Sequence, residues 1–284
     1  MKKIRTAVLV LLCMTLVSGC SRAKEEKTKE KNAEPLVIEE QTEEENTQEQ
    51  ITEQAEEQPG EKKEDPQVED SEKPTVNGHI VAIDPGHQAA GNPEQEPIGP
   101  GASETKAKVA SGTSGTATGV NEYELTLSVS LKLQQELKQR GYQVVMIRTG
   151  NEVDLSNAER AQTANASGAE VFVRIHANGS EDPSVQGALT MCMTSANPYN
   201  GTLYGESRKL SDLVLDGLCT ATGAVKNSVI ETDTMSGINW CTIPVTIVEM
   251  GFMTNPEEDI KMETEEYQVQ TAKGIADGID EYFS

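Results

Sequence analysis

The distribution of hydrophobic and polar positions divides the chain into three parts. Residues 7–17 are apolar except for one threonine, residues 21–77 are polar and contain no Phe, Tyr or Trp, and from residue 79 onward short apolar runs alternate with longer amphipathic segments. Short apolar runs are typical of buried strands, and the longer segments are typical of helices. The pattern therefore predicts one folded domain, residues 78–284, preceded by a leader and a polar tether.

Within this domain, predicted strands and helices alternate. Asn121 and Ser156 each stand three residues before a glutamate, which is the capping-box arrangement that begins a helix. Strands separated by helices predict a single α/β domain, with a mixed, mostly parallel sheet covered by helices on both faces. The predicted strands are residues 79–84, 142–147, 171–175, 187–193 and 245–249, and the predicted helices are residues 122–140, 157–168, 202–220, a short one from 256, and 264–282.

The first twenty residues have the features of an export signal. Three basic residues among the first five precede the apolar stretch, which is long enough for a secretory signal and too short for a membrane span. The stretch ends in Gly19-Cys20 and resembles a bacterial lipobox, in which the cysteine receives the lipid. We expect residues 1–19 to be a lipoprotein signal peptide and Cys20 to be the lipid anchor of an extracytoplasmic protein. An ordinary cleaved signal with an incidental cysteine is the alternative.

The net charge of the chain argues against nucleic acid as a partner, and the composition of residues 20–77 predicts a linker. The chain has a formal net charge of −23, and residues 79–284 alone account for −15. Such acidity argues against a nucleic-acid-binding protein, which neutralises phosphates with Lys and Arg. Residues 20–77 carry too little apolar surface to offset the entropy of ordering, so we expect an acidic, disordered linker that lets the domain reach the cell wall. The lipid is then the only expected contact with the membrane.

Ionisable residues stand where the predicted strands end. His87 follows the first strand, His176 follows the third and Glu249 ends the last, while Glu122 begins the helix after a glycine-rich stretch. Two histidines and a glutamate that leave one position open form a known catalytic zinc set, and a further glutamate is needed to take a proton from water. Position alone leaves open the alternative that each side chain is satisfied by neighbouring backbone.

Four motifs carry a family resemblance. They are residues 83–87 (IDPGH), Glu122 leading a helix into residues 141–149 (GYQVVMIRT), residues 155–178 ending in VFVRIHAN, and residues 248–256 (VEMGFMTNP). In this order they resemble the zinc-dependent N-acetylmuramoyl-L-alanine amidases of the Amidase_3 type, which are cell-wall hydrolases. The match covers most of the domain.

The resemblance implies a substrate and a role for each candidate. His87, Glu122 and His176 are expected to bind one Zn²⁺ per domain, and Glu249 to be the catalytic carboxylate. The substrate is expected to be peptidoglycan, cut at the amide between N-acetylmuramic acid and L-alanine. The implied fold is a mixed sheet flanked by helices, of the phosphorylase/hydrolase-like kind. Asn178 is a weaker candidate for orienting a histidine or the substrate, and a monomer is favoured.

The resemblance is interrupted between two of the expected ligands. Residues 88–119 are rich in Gly, Ser, Thr and Pro, where many family members have a short loop. Long loops without secondary structure tend to be functional or disordered. We therefore expect this insert to border the substrate groove and to set stem-peptide preference. The interval between Asn178 and the strand near Gly187 is too short for an obstructing helix, which favours activity without an activator.

Other interpretations compete with the amidase. The metal set also permits a zinc carboxypeptidase, which releases one terminal amino acid from the stem peptide rather than the whole stem. A non-catalytic wall-binding lipoprotein of the same fold is a further alternative, although it has no reason to keep all four active-site residues. Among other side chains, we expect Arg160 to pair with a carboxylate and His79 to pack or lie exposed, and Trp240 to serve either the core or sugar stacking.

Overall fold

A computed structural model describes residues 77–284. The predicted signal peptide, the lipidated Cys20 and most of the linker lie outside the described residues and stay predictions. Within the described part of the chain, no helix is both long and apolar enough to span a bilayer.

The domain contains eight strands and six α-helices among residues 77–284, and they follow the predicted order closely. In chain order they are β1 (Ile80–Pro85), β2 (Asn92–Pro97), β3 (Thr105–Val109), α1 (Glu122–Gln139), β4 (Gln143–Met146), α2 (Asn157–Ala166), β5 (Val171–Asn178), β6 (Ala188–Cys192), α3 (Tyr204–Thr222), β7 (Lys226–Glu231), α4 (Ser236–Asn239), β8 (Val245–Phe252), α5 (Pro256–Met262) and α6 (Glu265–Phe283).

Six of the strands form one mixed sheet in the order β4-β1-β5-β8-β6-β7. Neighbours are parallel except β6, which runs antiparallel to β8. The predicted α/β class with a mostly parallel sheet is therefore confirmed. Because β1, β5 and β8 are adjacent and parallel, their carboxyl ends meet at one edge of the sheet, where sites form in such folds.

Helices cover both faces of the sheet, as predicted. On one face α1, α3 and α6 bury a large apolar cluster that includes Leu133, Leu215 and Ile275. On the other face α2 and α4 cover a smaller cluster that includes Ala161, Phe172 and Ile238. Successive side chains of a strand point to opposite faces, so each central strand contributes to both clusters.

The predicted helix starts are present. Asn121 with Glu124 and Ser156 with Glu159 form the two expected capping boxes, which satisfy backbone N–H groups at the first turns of α1 and α2. The capping box at Asn121 fixes where α1 begins, and so fixes the position of its first residue, Glu122.

The insert differs from the expected structureless loop. Residues 92–109 contain an antiparallel hairpin of β2 and β3 that belongs to a separate two-stranded sheet. The hairpin is fastened to the domain: the Ala158 N–H donates to the buried Glu96 at 3.1 Å, and the Trp240 indole N–H donates to the Pro97 carbonyl at 2.9 Å. Trp240 thus joins the insert to the body of the domain.

Candidate metal centre

The candidate ligands come from three elements at the carboxyl edge of the sheet. His87 follows β1, His176 lies near the end of β5, and Glu122 begins α1. Their potential ligand atoms all lie within 4.8 Å of one another. The structure therefore brings together three residues that are separated by as many as 89 positions in the sequence.

The donor atoms form a nearly equilateral triangle. His87 Nε2 lies 3.1 Å from Glu122 Oε1 and 3.1 Å from His176 Nδ1, and His176 Nδ1 lies 3.2 Å from Glu122 Oε1. A triangle with such edges is one face of a tetrahedron whose centre lies about 2 Å from each corner, the distance of zinc from nitrogen and oxygen ligands. The three residues fit a tetrahedral metal ion with one position open.

Hydrogen bonds fix the tautomer and orientation of His87. Its Nδ1 donates to the Ala110 carbonyl, which can only accept, at 2.9 Å. In the neutral ring, Nε2 then carries a free lone pair that points toward the other two ligand atoms, and a backbone partner on the second nitrogen is typical of metal-binding histidine. His87 has a φ of 60°, a left-handed conformation that is uncommon for a residue other than glycine.

The insert packs directly against the ligands. Gly112 has a φ of +84°, and a Cβ there would lie only 2.9 Å from Glu122 Oε2 and 3.0 Å from the His87 ring. A glycine is therefore required at this position both for the backbone conformation and for the close approach. The segment after β3 thus forms one wall of the candidate centre.

Glu122 is held as an ionised carboxylate. Its side chain is 5% exposed, and it accepts hydrogen bonds from the Thr113 N–H at 2.9 Å and the Ala177 N–H at 3.1 Å. Burial alone raises the pKa of this carboxyl, but the two histidines more than compensate and hold the pKa well below its usual range. An ionised carboxylate is the form that binds a metal ion.

His176 is held as a neutral imidazole. Its ring packs against the backbone of Gly86, where a Cβ would overlap it. Burial, helped by the charge of His87, lowers the pKa of His176 to about 4, although Glu122 opposes this shift. At neutral pH the ring is uncharged, which is the state that binds a metal. Its Nε2 has no hydrogen-bond partner among residues 77–284.

Glu249 faces this cluster from the neighbouring strand. It pairs with His176 in the register of β5 and β8, and its buried Oε2 has no hydrogen-bond partner among the described residues. Burial and the nearby Glu122 raise the pKa of Glu249 to about 8, against a lowering effect of Arg174. A carboxyl group with no structural partner and a pKa near neutrality suits proton transfer.

A buried ionic network lies beneath the centre. Asp84 accepts from Arg160 Nη1 at 2.7 Å and from Arg174 Nε at 2.9 Å, so the expected pairing of Arg160 with a carboxylate is present. Burial alone raises the pKa of Asp84, but the two guanidinium groups hold it at about 2. Sequence reasoning did not single out Asp84 or Arg174. The available signal was a charged residue inside an otherwise apolar strand.

A cavity of about 400 Å³ opens beside the centre. Its lining includes His87, His176 and Glu249 of the centre, the polar side chains of Arg174 and Asn157, and the apolar side chains of Met235 and Ile247. The hairpin residues Lys106 and Ala107 also line this cavity. The insert therefore borders the cavity next to the candidate ligands.

The weaker candidate Asn178 lies outside the cavity lining, and so does His79, which was expected to pack or lie exposed. Asn178 Oδ1 accepts from the Gly179 N–H at 2.8 Å, and Asn178 is not among the residues that line the cavity. His79 contacts Glu170 at 2.9 Å and stacks on Phe283 with ring centroids 4.0 Å apart. His79 therefore packs at the amino end of β1, remote from the carboxyl edge.

An α/β domain that gathers two histidines and two glutamates at the carboxyl edge of its sheet is typical of metal-dependent hydrolases, and comparison with known proteins identifies the family. The family model of Amidase_3, N-acetylmuramoyl-L-alanine amidase, matches residues 81–281. An N-acetylmuramoyl-L-alanine amidase of Mycobacterium tuberculosis is 32% identical over 215 residues, which cover 72% of this chain and 86% of that protein. The chain belongs to the Amidase_3 family.

Solved structures agree with this assignment. The amidase Ami1 of Mycobacterium smegmatis superposes with a TM-score of 0.67 at 28% identity, over 73% of this chain and 98% of that one. An N-acetylmuramoyl-L-alanine amidase of Clostridium difficile gives a TM-score of 0.58 at 28% identity, over 73% of this chain and 98% of that one. The protein is accordingly a cell-wall hydrolase that cuts the amide between N-acetylmuramic acid and L-alanine in peptidoglycan.

Proposed function

We propose that the protein hydrolyses this amide with one Zn²⁺ held by His87, Glu122 and His176, and with Glu249 as the proton-transfer group. The observation that carries the proposal is the triangle of donor atoms, with edges of 3.1–3.2 Å, beside a carboxyl group whose buried Oε2 has no partner among residues 77–284. When bound, zinc supplies Lewis-acid polarisation of the scissile carbonyl and activation of water at neutral pH.

The side chains of the protein supply positioning and proton transfer. Glu249 takes a proton from water as the water oxygen bonds to the lactyl carbonyl carbon. It then passes that proton to the alanine nitrogen as the carbon–nitrogen bond breaks. A cation bound there would favour the ionised form of Glu249 and so lower its pKa, and the one carboxylate would serve first as base and then as acid. The products are a glycan strand and a free stem peptide.

The place of action follows from the sequence outside the described residues. We propose that Cys20 carries the lipid, that residues 20–77 are a tether, and that the domain works as a monomer outside the cytoplasm. Two acyl chains give stable membrane attachment, whereas one is marginal. Residues 20–77 are 58 positions, and a flexible coil of that length would span on the order of 40 Å or more. Peptidoglycan is then the partner of the domain, and the lipid its contact with the membrane.

The experiment is mass spectrometry of purified peptidoglycan after incubation with the chain that lacks residues 1–19. We expect release of intact stem peptides with a new free L-alanine amine, which is abolished by a zinc chelator and restored by zinc. Glu249→Gln should bind one equivalent of zinc and release stem peptides at least about 100-fold more slowly. Glu257→Gln, which changes an exposed glutamate on α5, is the matched control and should behave as the wild type.

Other outcomes would contradict the proposal in distinguishable ways. Release of single terminal amino acids in place of whole stems would indicate a carboxypeptidase. Zinc bound at one equivalent without any release would indicate a wall-binding protein or the need for an activator. Full activity of a sample that contains no metal would exclude the zinc mechanism.

A further inference from the structure

Arg174 has a position that the hydrolytic mechanism does not explain. It lies on β5 two residues before His176, so both side chains point to the same face of the sheet. Its side chain is only 4% exposed, yet it lines the same cavity as His176 and Glu249. Burial of a guanidinium group is costly unless its N–H groups have hydrogen-bond acceptors, so each of its three nitrogens is expected to have one.

Two of the three guanidinium nitrogens are held by the protein. Nε donates to Asp84 at 2.9 Å, and Nη2 donates to Asn157 at 2.8 Å. Nη1 has no acceptor among residues 77–284. It lies against Gly237, another cavity residue, where a Cβ would overlap it. The guanidinium is thus fixed in orientation at the cavity wall, with one nitrogen left to bind something else.

The surrounding charges favour an anionic partner for Nη1. The single carboxylate of Asp84 is shared between Arg174 and Arg160. A third buried guanidinium, Arg148, donates to backbone carbonyls, a hydroxyl and an amide, with no carboxylate partner among the described residues. This positive charge lies inside a domain of net charge −15. The other carboxylates at this edge, Glu122 and Glu249, belong to the metal centre.

The distance along the strand sets where the anion sits. Two residues of β-strand span about 7 Å, so the backbone positions of Arg174 and His176, which line the same cavity, are about that far apart. An extended peptide covers about 3.5 Å per residue. A group on the second residue beyond the scissile amide therefore reaches Arg174 while the amide is at the metal centre. The cavity walls at Met191, Met235 and Ile247 suit aliphatic peptide side chains better than sugar.

We propose that Arg174 is a specificity-determining residue that binds a carboxylate on the second residue of the leaving peptide. The proposal rests on the amidase function described above. Asn157 and Asp84 act as positioning residues, because they hold the guanidinium so that Nη1 faces the substrate. The free Nη1 can donate a charge-assisted hydrogen bond to a carboxylate, and a carboxamide, which carries no charge, binds a guanidinium less strongly.

The test compares two muramoyl peptides that differ only at the second residue, which bears either a free carboxylate or a carboxamide. We expect the wild type to prefer the carboxylate substrate by roughly 10-fold or more in kcat/KM. Arg174→Gln should lower kcat/KM for that substrate by roughly 10- to 100-fold, mainly through KM, as expected for loss of a hydrogen bond between charged groups. Its effect on the carboxamide substrate should be at most about threefold.

Further variants separate recognition from folding. Asn157→Ala leaves both ion pairs of Asp84 intact and should reduce the preference for the carboxylate part of the way, with no change in thermal melting beyond a few degrees. Arg174→Lys keeps the charge and should keep part of the preference. Arg208→Gln, which removes an arginine from an exposed ion pair on α3, is the matched control and should leave the preference unchanged.

Two results would overturn the inference while leaving the amidase intact. One is a wild type that cuts both substrates equally well. The other is an Arg174→Gln variant that retains zinc but whose kcat/KM falls by the same factor for both substrates. If the wild type cuts neither substrate, the amidase function fails instead. In that case calorimetry with the free carboxylate and carboxamide peptides still decides whether Arg174 discriminates between them. Equal affinity for the two peptides would then count against the inference.

Discussion

The two faces of the central sheet use the same strands for different purposes. On one face of β5, Val173 and Ile175 pack into the apolar cluster beneath α1, α3 and α6. On the other face of the same strand, Arg174 and His176 belong to the ionic network and the candidate metal centre. Because the side chains of a strand alternate, one residue step separates a position that stabilises the fold from a position that serves the reaction.

This comparison shows how the domain can tolerate costly groups near its site. The face that carries Arg174 and His176, here called the polar face, buries the two ion pairs of Asp84 and the carboxyl group of Glu249, whose Oε2 has no hydrogen-bond partner among residues 77–284. Taking charged and unpaired polar groups out of water is costly. The apolar face has to provide most of the free energy of folding. Substitutions on the two faces should therefore separate loss of activity from loss of stability.

The largest expected effect is on the polar face and concerns catalysis. Replacing Glu249 with Gln removes the proton-transfer group while keeping its size. We expect kcat to fall by roughly 10²- to 10⁴-fold, which corresponds to about 3–5 kcal/mol in the activation free energy. The melting temperature should not fall, because the buried Oε2 makes no hydrogen bond within residues 77–284. Steady-state kinetics and thermal melting check both statements, and a clear drop in melting temperature would contradict the separation of roles.

The next effect is on the apolar face and concerns stability. Leu133 on α1 is 0% exposed within the apolar cluster, and Leu133→Ala should lower the free energy of unfolding by about 2–5 kcal/mol through loss of burial and a residual cavity. The folded fraction should keep its kcat, because eleven residues of helix, about 16 Å, separate Leu133 from Glu122. Urea unfolding with activity assays measures both quantities.

A neighbour on the same helix supplies the control. Leu131 is 41% exposed, so Leu131→Ala removes the same atoms without opening a buried cavity. We expect its free energy of unfolding to change by at most about 0.5 kcal/mol. Equal destabilisation by the two substitutions would show that the apolar face does not carry the stability.

The sequence predicted the features that depend on local patterns and missed those that depend on contacts between distant residues. The apolar runs and the capping boxes at Asn121 and Ser156 are local signals, and they predicted the main strands and the starts of α1 and α2. The candidate ligands His87 and His176 follow apolar runs, so their placement at the carboxyl edge followed from the α/β class. Asp84 bonds to Arg174 across 90 positions, a pairing for which the chain carries no local pattern.

The elements that were missed share a different cause. β7 (Lys226–Glu231) is an exposed edge strand without a buried alternation, and β2 reads NPEQEP, with two prolines and two glutamates. Neither sequence has the period-two apolar pattern that signals a half-buried strand. The hairpin exists because tertiary contacts such as that between Glu96 and α2 hold it in place. Sequence alone located the insert beside the site but did not reveal its structure.

A pH experiment sharpens the contrast on the polar face. The pKa of Asp84 is about 2 in the folded protein, below its ordinary value of 3.8, so the fold is stabilised by the ionised form. This contribution of about 2 kcal/mol is fully present above about pH 4 and is lost as the pH falls toward 2. Urea unfolding at several pH values in this range should show a steeper loss of stability for the wild type than for Asp84→Asn. Parallel curves would exclude Asp84 as the source.

The smallest expected effect is a faster exchange of amide hydrogens in the hairpin of the insert, with the amides of the central sheet as the reference. Trp240→Phe keeps an aromatic ring and removes only the indole hydrogen bond to the Pro97 carbonyl, which is worth about 1 kcal/mol. We expect the Ile98 amide, which donates to the Glu104 carbonyl at 3.0 Å inside the hairpin, to exchange with deuterium up to about fivefold faster. The amides of β5 should exchange as in the wild type, because their partners lie on β1 and β8. Unchanged exchange at Ile98 would mean that the buried Glu96, rather than Trp240, holds the hairpin against the domain. In that case Glu96→Gln would be the variant that speeds exchange in the hairpin.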